Sequence, residues 1–245
     1  MNLHDYFEIQ RNSLIQEFKD DMSTCLIATT PERLIRHANE YGWALHSLKK
    51  SKSSSTQVIQ KQGKQPELWV NNRYKGYRKA FTEFLQTFYN FKKNQIPLEW
   101  QVDHLQSTYR FKSDHPTYFV RLYLIDKSIN ASYGAGFEKM FYRNERERLP
   151  NGGIHMDWIT FLKAYGEKLP IKRASSEQWA VWTWALAVRL SEEGIEDSIL
   201  AYTGISTVLN LGFTGKYSPL PLHESFRAEA MKNPTINCIP QLQNA

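Results

Sequence analysis

The sequence predicts an α+β protein that is mainly α-helical, with a small strand–strand–helix unit embedded between helical N- and C-terminal segments. Three observations predict it. Apolar residues recur at spacings of three, four and seven near the N-terminus, and the chain again reads as helical after Met156. Two short central runs, Glu99 to Val102 and Val120 to Ile125, change to the pattern of strands. At 245 residues, 41% apolar and 23% charged, the chain is long and apolar enough to bury a real core.

Each element has its own signal. Leu3, Tyr6, Phe7, Leu14, Ile15 and Phe18 fall at helical spacing and mark the first helix. Thr30-Pro31 reads as an N-cap followed by proline at the first helical position, opening a second helix through about Leu48. Lys49 to Gln65 is polar, Ser-rich and nearly free of apolar residues, and is expected to be a linker and the main domain boundary. Tyr74 to Lys93 then carries Tyr77, Phe81, Phe84, Leu85 and Phe88 on one helical stripe, the mark of a core-facing helix. Arg73, Lys75, Arg78 and Lys79 crowd its start, where the helix dipole opposes cations, so something else must favour them there.

The two strands are joined by a long connection, Leu105 to Phe119. Ser128-Ile129-Asn130 begins a short helix, soon interrupted by Gly134 and Gly136, and a charged helix follows from Phe137 to Arg148. His155, after Gly152-Gly153, is read as structural rather than as a ligand. Ser175 caps a helix from Gln178 to Leu190 that is apolar nearly all round through Trp179, Trp182 and Trp184, and is therefore buried. A last helix spans Glu193 to Leu211, and the tail after Pro219 is extended. Three segments result: 1–64 helical with its linker, 65–155 as the functional core, and 156–245 helical.

Composition excludes several classes. No stretch approaches the roughly 20 apolar residues of a membrane span, and the first residues lack the pattern of a secretory signal. Only Cys25 and Cys238 occur, which excludes a disulfide scaffold or a cysteine zinc site and leaves a reducing, cytoplasmic setting as the expectation. Neither a phosphate-binding Gly-Lys-Ser/Thr loop nor a Gly-x-Ser-x-Gly elbow is present. The net charge of +6 is concentrated: Lys64 to Pro150 holds 15 Lys and Arg against 9 Asp and Glu, and the remainder of the chain is balanced at 16 of each. A basic surplus confined to one aromatic-rich segment points to a polyanion such as nucleic acid.

The chemistry-bearing residues lie in that segment: Val102-Asp103-His104-Leu105, then Asp126-Lys127-Ser128-Ile129-Asn130. Asp103 and His104 leave the strand as neighbours and so point in different directions, while Asn130 enters from the first turn of the helix. A carboxylate and an amide oxygen can share one hard cation, and an imidazole nearby can take a proton from water. This pattern resembles the HNH, or ββα-metal, nuclease family over about residues 100–141. The resemblance implies Asp103 and Asn130 as metal ligands, His104 as general base, and one divalent metal, Mg²⁺ before Mn²⁺ or Zn²⁺. It implies a DNA endonuclease, with DNA preferred over RNA, of the kind found in phage defence, mobile elements or toxin systems. Arg110, Lys112, Arg121 and Lys127, with Arg73, Lys75 and Arg78, are the candidate phosphate contacts. The helical segments offer a surface for a protein partner or a second copy. The alternative is a non-catalytic helical protein that binds nucleic acid or a partner, its Asp-His pair structural. The catalytic reading requires two oxygen donors that can meet around one ion beside a solvent-reachable His104, and it fails if Asp103 is locked in an internal salt link with no room for an ion.

Overall fold

The computed structural model describes residues 1–20, 26–93, 95–105, 117–134, 137–141, 153–170 and 174–226. The chain divides into two compact units, Met1–Leu169 and Pro170–Ala245. It is a mixed α+β protein, about half helical, with a curled antiparallel sheet. The first unit runs α1 (Leu3–Asp20), β1 (Leu26–Thr29), α2 (Pro31–Glu40), β2 (Ala44–His46), β3 (Thr56–Gln60), β4 (Glu67–Asn71) and α3 (Tyr77–Tyr89). It continues with β5 (Trp100–His104), β6 (Phe119–Asp126), α4 (Lys127–Gly134), α5 (Phe137–Phe141), β7 (Ile154–His155) and α6 (Trp158–Tyr165).

The sheet is larger than the two strands expected. Its order is β2-β3-β4-β6-β1-β7, with β5 also paired to β6. The extra strands escaped the periodicity argument for a physical reason. β1 is buried at every residue and β4 at all but its last, so neither alternates, and a short continuous apolar run does not distinguish strand from helix. The stretch expected to be a linker contains β3, which pairs with β4 from Thr56↔Val70 to Ile59↔Glu67 and fully buries Val58 and Ile59. A hairpin therefore spans the boundary placed at residue 64, and the first two predicted segments share one sheet.

On one face of the sheet Val58, Leu68, Val70, Val102, Leu122 and Leu124 pack against Phe81, Phe84 and Leu85 of α3 and against Leu3, Tyr6 and Phe7 of α1. The aromatic stripe of α3 is thus core, as its spacing predicts, and each such buried side chain is worth about 1.5–3 kcal/mol. The other face carries Leu26, Ile59, Trp69 and Phe119, which cluster with Leu34 of α2. Thr30 accepts from the Arg33 amide and caps α2 ahead of Pro31, as the sequence indicates. Gln10 of α1 reaches the sheet: its Nε2 donates to Leu124 O at 2.9 Å and its Oε1 accepts from Leu124 N at 2.7 Å. Before β7, Gly153 has φ +95°, and a Cβ there would lie 2.6 Å from the Ala28 carbonyl oxygen, so only glycine lets the two backbones approach.

The second unit holds α7 (Ser176–Glu192) and α8 (Ser198–Thr214). Ser175 and Gln178 form a reciprocal capping box at the start of α7. Gly194, at φ +64°, ends the turn after α7, and Asp197 caps α8, which therefore starts later than the periodicity suggests. Trp179 stacks on Phe213 and Trp184 meets Tyr202 edge-on, so the tryptophans of α7 join the two helices.

Candidate functional site

β5 and β6 form an antiparallel pair in which Asp103 faces Tyr123 and His104 faces Leu122. α4 begins as soon as β6 ends. Asp126 makes that corner: its Oδ1 accepts from the Ser128 amide at 2.7 Å and the Ile129 amide at 3.3 Å, capping a new helix start. Asn130, in the first turn, donates through Nδ2 to Gln101 Oε1 at 2.6 Å. Gln101 and Asp103 are two residues apart on one strand and share a face. The structure thus brings the Asn130 amide over the face of β5 that carries Asp103.

The carboxylate of Asp103 is engaged. Its Oδ1 accepts from the His104 amide at 2.8 Å, and its Oδ2 pairs with Lys163 Nζ at 2.8 Å. The same ammonium pairs with Glu138 Oε1 at 2.8 Å and is almost wholly buried, with the Tyr123 and Tyr133 rings about it at 6.0 and 5.9 Å. Burial would lower the Lys163 pKa, but Asp103 and Glu138 outweigh it and raise it. Burial would likewise raise the Asp103 pKa, and Lys163 brings it below the ordinary value. Two carboxylates and one ammonium leave the cluster with a net charge of −1.

The donor chemistry suits a hard divalent cation, because two carboxylate oxygens converge on a single cationic point with an amide side chain on the same face. That point is held by the Lys163 ammonium, so Asp103 sits in an internal ion pair with no open position for an ion, the arrangement that counts against the catalytic expectation. Among the described residues no group of three or more His, Cys, Asp or Glu is arranged to hold a metal.

His104 points the other way, as alternation along a strand requires. Its ring lies 4.9 Å from the Tyr77 ring at the start of α3. Its Nε2 is buried and has no hydrogen-bond partner among the described residues. Burial lowers its pKa, the Lys163 charge lowers it further and Asp103 opposes them, so the imidazole is neutral at neutral pH. A buried ring nitrogen without a partner is costly and calls for an explanation.

The predicted cations divide. Arg110 and Lys112 lie outside the described residues. Arg121 corrects its expectation: it is 5% exposed, and its guanidinium grips Glu17 with bonds of 2.8 and 3.1 Å, so it holds the fold together and does not face a phosphate. Lys127 is exposed at the start of α4. Arg78 donates through Nη2 to the carbonyls of Ile96, Pro97 and Trp100, tying α3 to the entrance of β5. Beside it lies a cleft of about 860 Å³ lined by Lys50, Lys75, Arg78 and Lys79, with Glu83 as its only acidic lining residue. Lys75, Lys79 and Arg73 are exposed. The cations at the start of α3 thus flank the same end of α3 as Tyr77, the neighbour of His104.

Lys163 and its place between Asp103 and Glu138 were missed by sequence reasoning. The available signal was a single lysine inside the apolar helix Trp158–Tyr165, where a buried charge demands a partner. A second buried cluster was also missed: Arg121 with Glu17 and Glu67, and Lys61 with the same two carboxylates. Compared with protein families, curated proteins and solved structures, the chain matches none.

Proposed function

We propose that the first unit is a divalent-metal-dependent phosphodiesterase acting on nucleic acid, DNA before RNA. The observation that carries this reading is the register of β5, β6 and α4. It sets Asn130 over the Asp103 face while His104, with a buried unpartnered nitrogen, sits at the end of the same strand. The basic cleft at the start of α3 supports it by offering cations to a phosphate backbone.

Asp103, Glu138 and Asn130 would hold the ion, which when bound supplies positive charge to the leaving oxygen. His104, neutral at neutral pH, would take the proton of the attacking water at Nε2 only after a rearrangement that uncovers this buried nitrogen and turns it towards the ion. The water oxygen would bond to phosphorus, the bond from phosphorus to the 3′ oxygen would break, and that oxygen would take a proton from solvent, giving a 5′-phosphate and a 3′-hydroxyl. Lys163 maintains the two carboxylates until then and must yield its place.

A second reading has its own observation, the Asp103–Lys163 ion pair. With that pair permanent, the unit binds nucleic acid without cutting it. One assay separates the two. Purified protein with Mg²⁺ or Mn²⁺ should nick supercoiled plasmid, and His104→Ala should abolish nicking while leaving DNA retention in a gel shift intact. A wild type that retains DNA yet cuts neither DNA nor RNA with Mg²⁺, Mn²⁺ or Zn²⁺ leaves the binding reading in force.

A further inference from the structure

A separate cavity of about 390 Å³ opens beside α2, β3 and β4. Its lining is mostly apolar and aromatic, with Trp43, Tyr41, His37 and Trp69, and it carries the cations Arg33, Lys61 and Lys64. The three rings on the α2–β2 corner lie nearly parallel: Tyr41 to Trp43 at 5.4 Å and 23°, His37 to Tyr41 at 5.7 Å and 6°, and His37 to Trp43 at 6.4 Å and 17°. They form an aromatic wall whose outer member, Tyr41, is 63% exposed despite its size. The exposed face of this wall offers a flat ring a stacking surface.

The charges around the wall are fixed from below. Lys61 Nζ lies 5.0 Å from the Trp43 ring and pairs with Glu67 at 2.9 Å and Glu17 at 3.4 Å, so its ammonium is anchored. Arg33 donates through Nε to His37 Nε2 at 3.1 Å, which fixes the imidazole as the acceptor there. Burial and the Arg33 charge lower the His37 pKa, so the ring stays neutral and stackable. Lys64 stands at the rim with its partner Asp20, both partly open to solvent. The lining cations Arg33, Lys61 and Lys64 outnumber the lining carboxylates Glu17 and Asp20 by one.

We propose that this cavity is a nucleotide-binding site, taking a planar heteroaromatic base against the Tyr41–Trp43 wall and its phosphate at the Arg33–Lys64 rim. The volume falls in the range of small-ligand pockets, roughly 300–1,000 Å³. Stacking is tolerant of base identity because every base has a π-face, so the site recognises a class rather than one base. The same chemistry arises from a free mononucleotide or from the terminal nucleotide of a strand. The site shares no residue with the Asp103–Lys163 cluster, so the inference does not depend on the phosphodiesterase reading.

The test is calorimetry on the full chain in EDTA, with the four nucleoside monophosphates, adenosine, inorganic phosphate and a short 5′-phosphorylated oligonucleotide as probes. At least one monophosphate, or the oligonucleotide, should bind once per chain, and more tightly than adenosine or phosphate. Tyr41→Ala and Lys64→Ala change partly or largely exposed side chains and should each weaken it about tenfold or more. Tyr41-dependent binding of monophosphates alone assigns a free nucleotide, and Tyr41-dependent binding favouring the oligonucleotide assigns a strand end. Absence of binding by every nucleotide probe at about 1 mM, or binding that neither variant weakens, overturns the proposal.

Discussion

Two buried ionic clusters lie along β6, one at Arg121 and one beside Tyr123, and they differ in charge balance and in accessibility. Around Arg121 two cations face two carboxylates, and the guanidinium holds Glu17 with two parallel bonds. Around Lys163 one cation faces two carboxylates, and Asp103 keeps 27% of its side chain accessible. The first cluster is neutral and complete, so nothing further is needed there. The second keeps an excess negative charge at a strand end, with its one central position held by Lys163. Balance marks structure; imbalance marks a place where chemistry can enter.

The largest effect expected from breaking this contrast is on the balanced side. Arg121→Met leaves the buried Glu17 and Glu67 with Lys61 as their remaining cation and should lower unfolding stability by about 3 kcal/mol in a denaturant titration. The pH dependence gives the sign. Burial pushes the Glu17 carboxyl up, Arg121 and Lys61 overcome it, and the pKa settles at about 2 against an ordinary 4.5. Its contribution is therefore present above the unfolded value and is lost as pH falls from 4.5 towards 2. In Arg121→Met that acid loss should shrink or reverse, since burial then favours the protonated form. An acid titration of stability that is the same in both proteins would remove Arg121 from its assigned role.

The second effect sharpens the unbalanced side. Lys163→Met removes the resident cation and should raise Mn²⁺ affinity about tenfold or more in calorimetry, because an added ion then meets two uncompensated carboxylates. The variant should be less stable alone and regain stability with Mn²⁺ in excess of its Kd. Unchanged Mn²⁺ affinity would make Lys163 a pillar and the cluster a second scaffold. The smallest effect concerns the cleft. Lys75→Ala and Lys79→Ala should each reduce the salt slope of DNA binding by about 1, weakening all sequences alike.

How far the sequence revealed this can be argued residue by residue. The capped helices, the core stripe of α3, the β5–β6 pair and the start of α4 follow from local periodicity and capping, which need no partner to be recognised. β3 was hidden because only Val58 and Ile59 are apolar in its neighbourhood, and their burial depends on β4. Asp103, His104 and Asn130 were legible as a spacing. The Lys163 ion pair was not, since residues 60 positions apart meet only through the tertiary fold. Arg121 was misjudged for the same reason: its charge counted towards a basic surface, while Glu17 consumes it inside.

The Gln10 amide has a consequence for association. By bonding both backbone groups of Leu124 it imitates one residue of a neighbouring strand, and so plugs a stretch of β6 that would otherwise be open to strand addition. The two residues stand 114 positions apart, so a chain growing from its N-terminus makes its plug first and the rim it seals much later. Once the sheet has formed, that stretch of rim is closed to strand addition from a second copy.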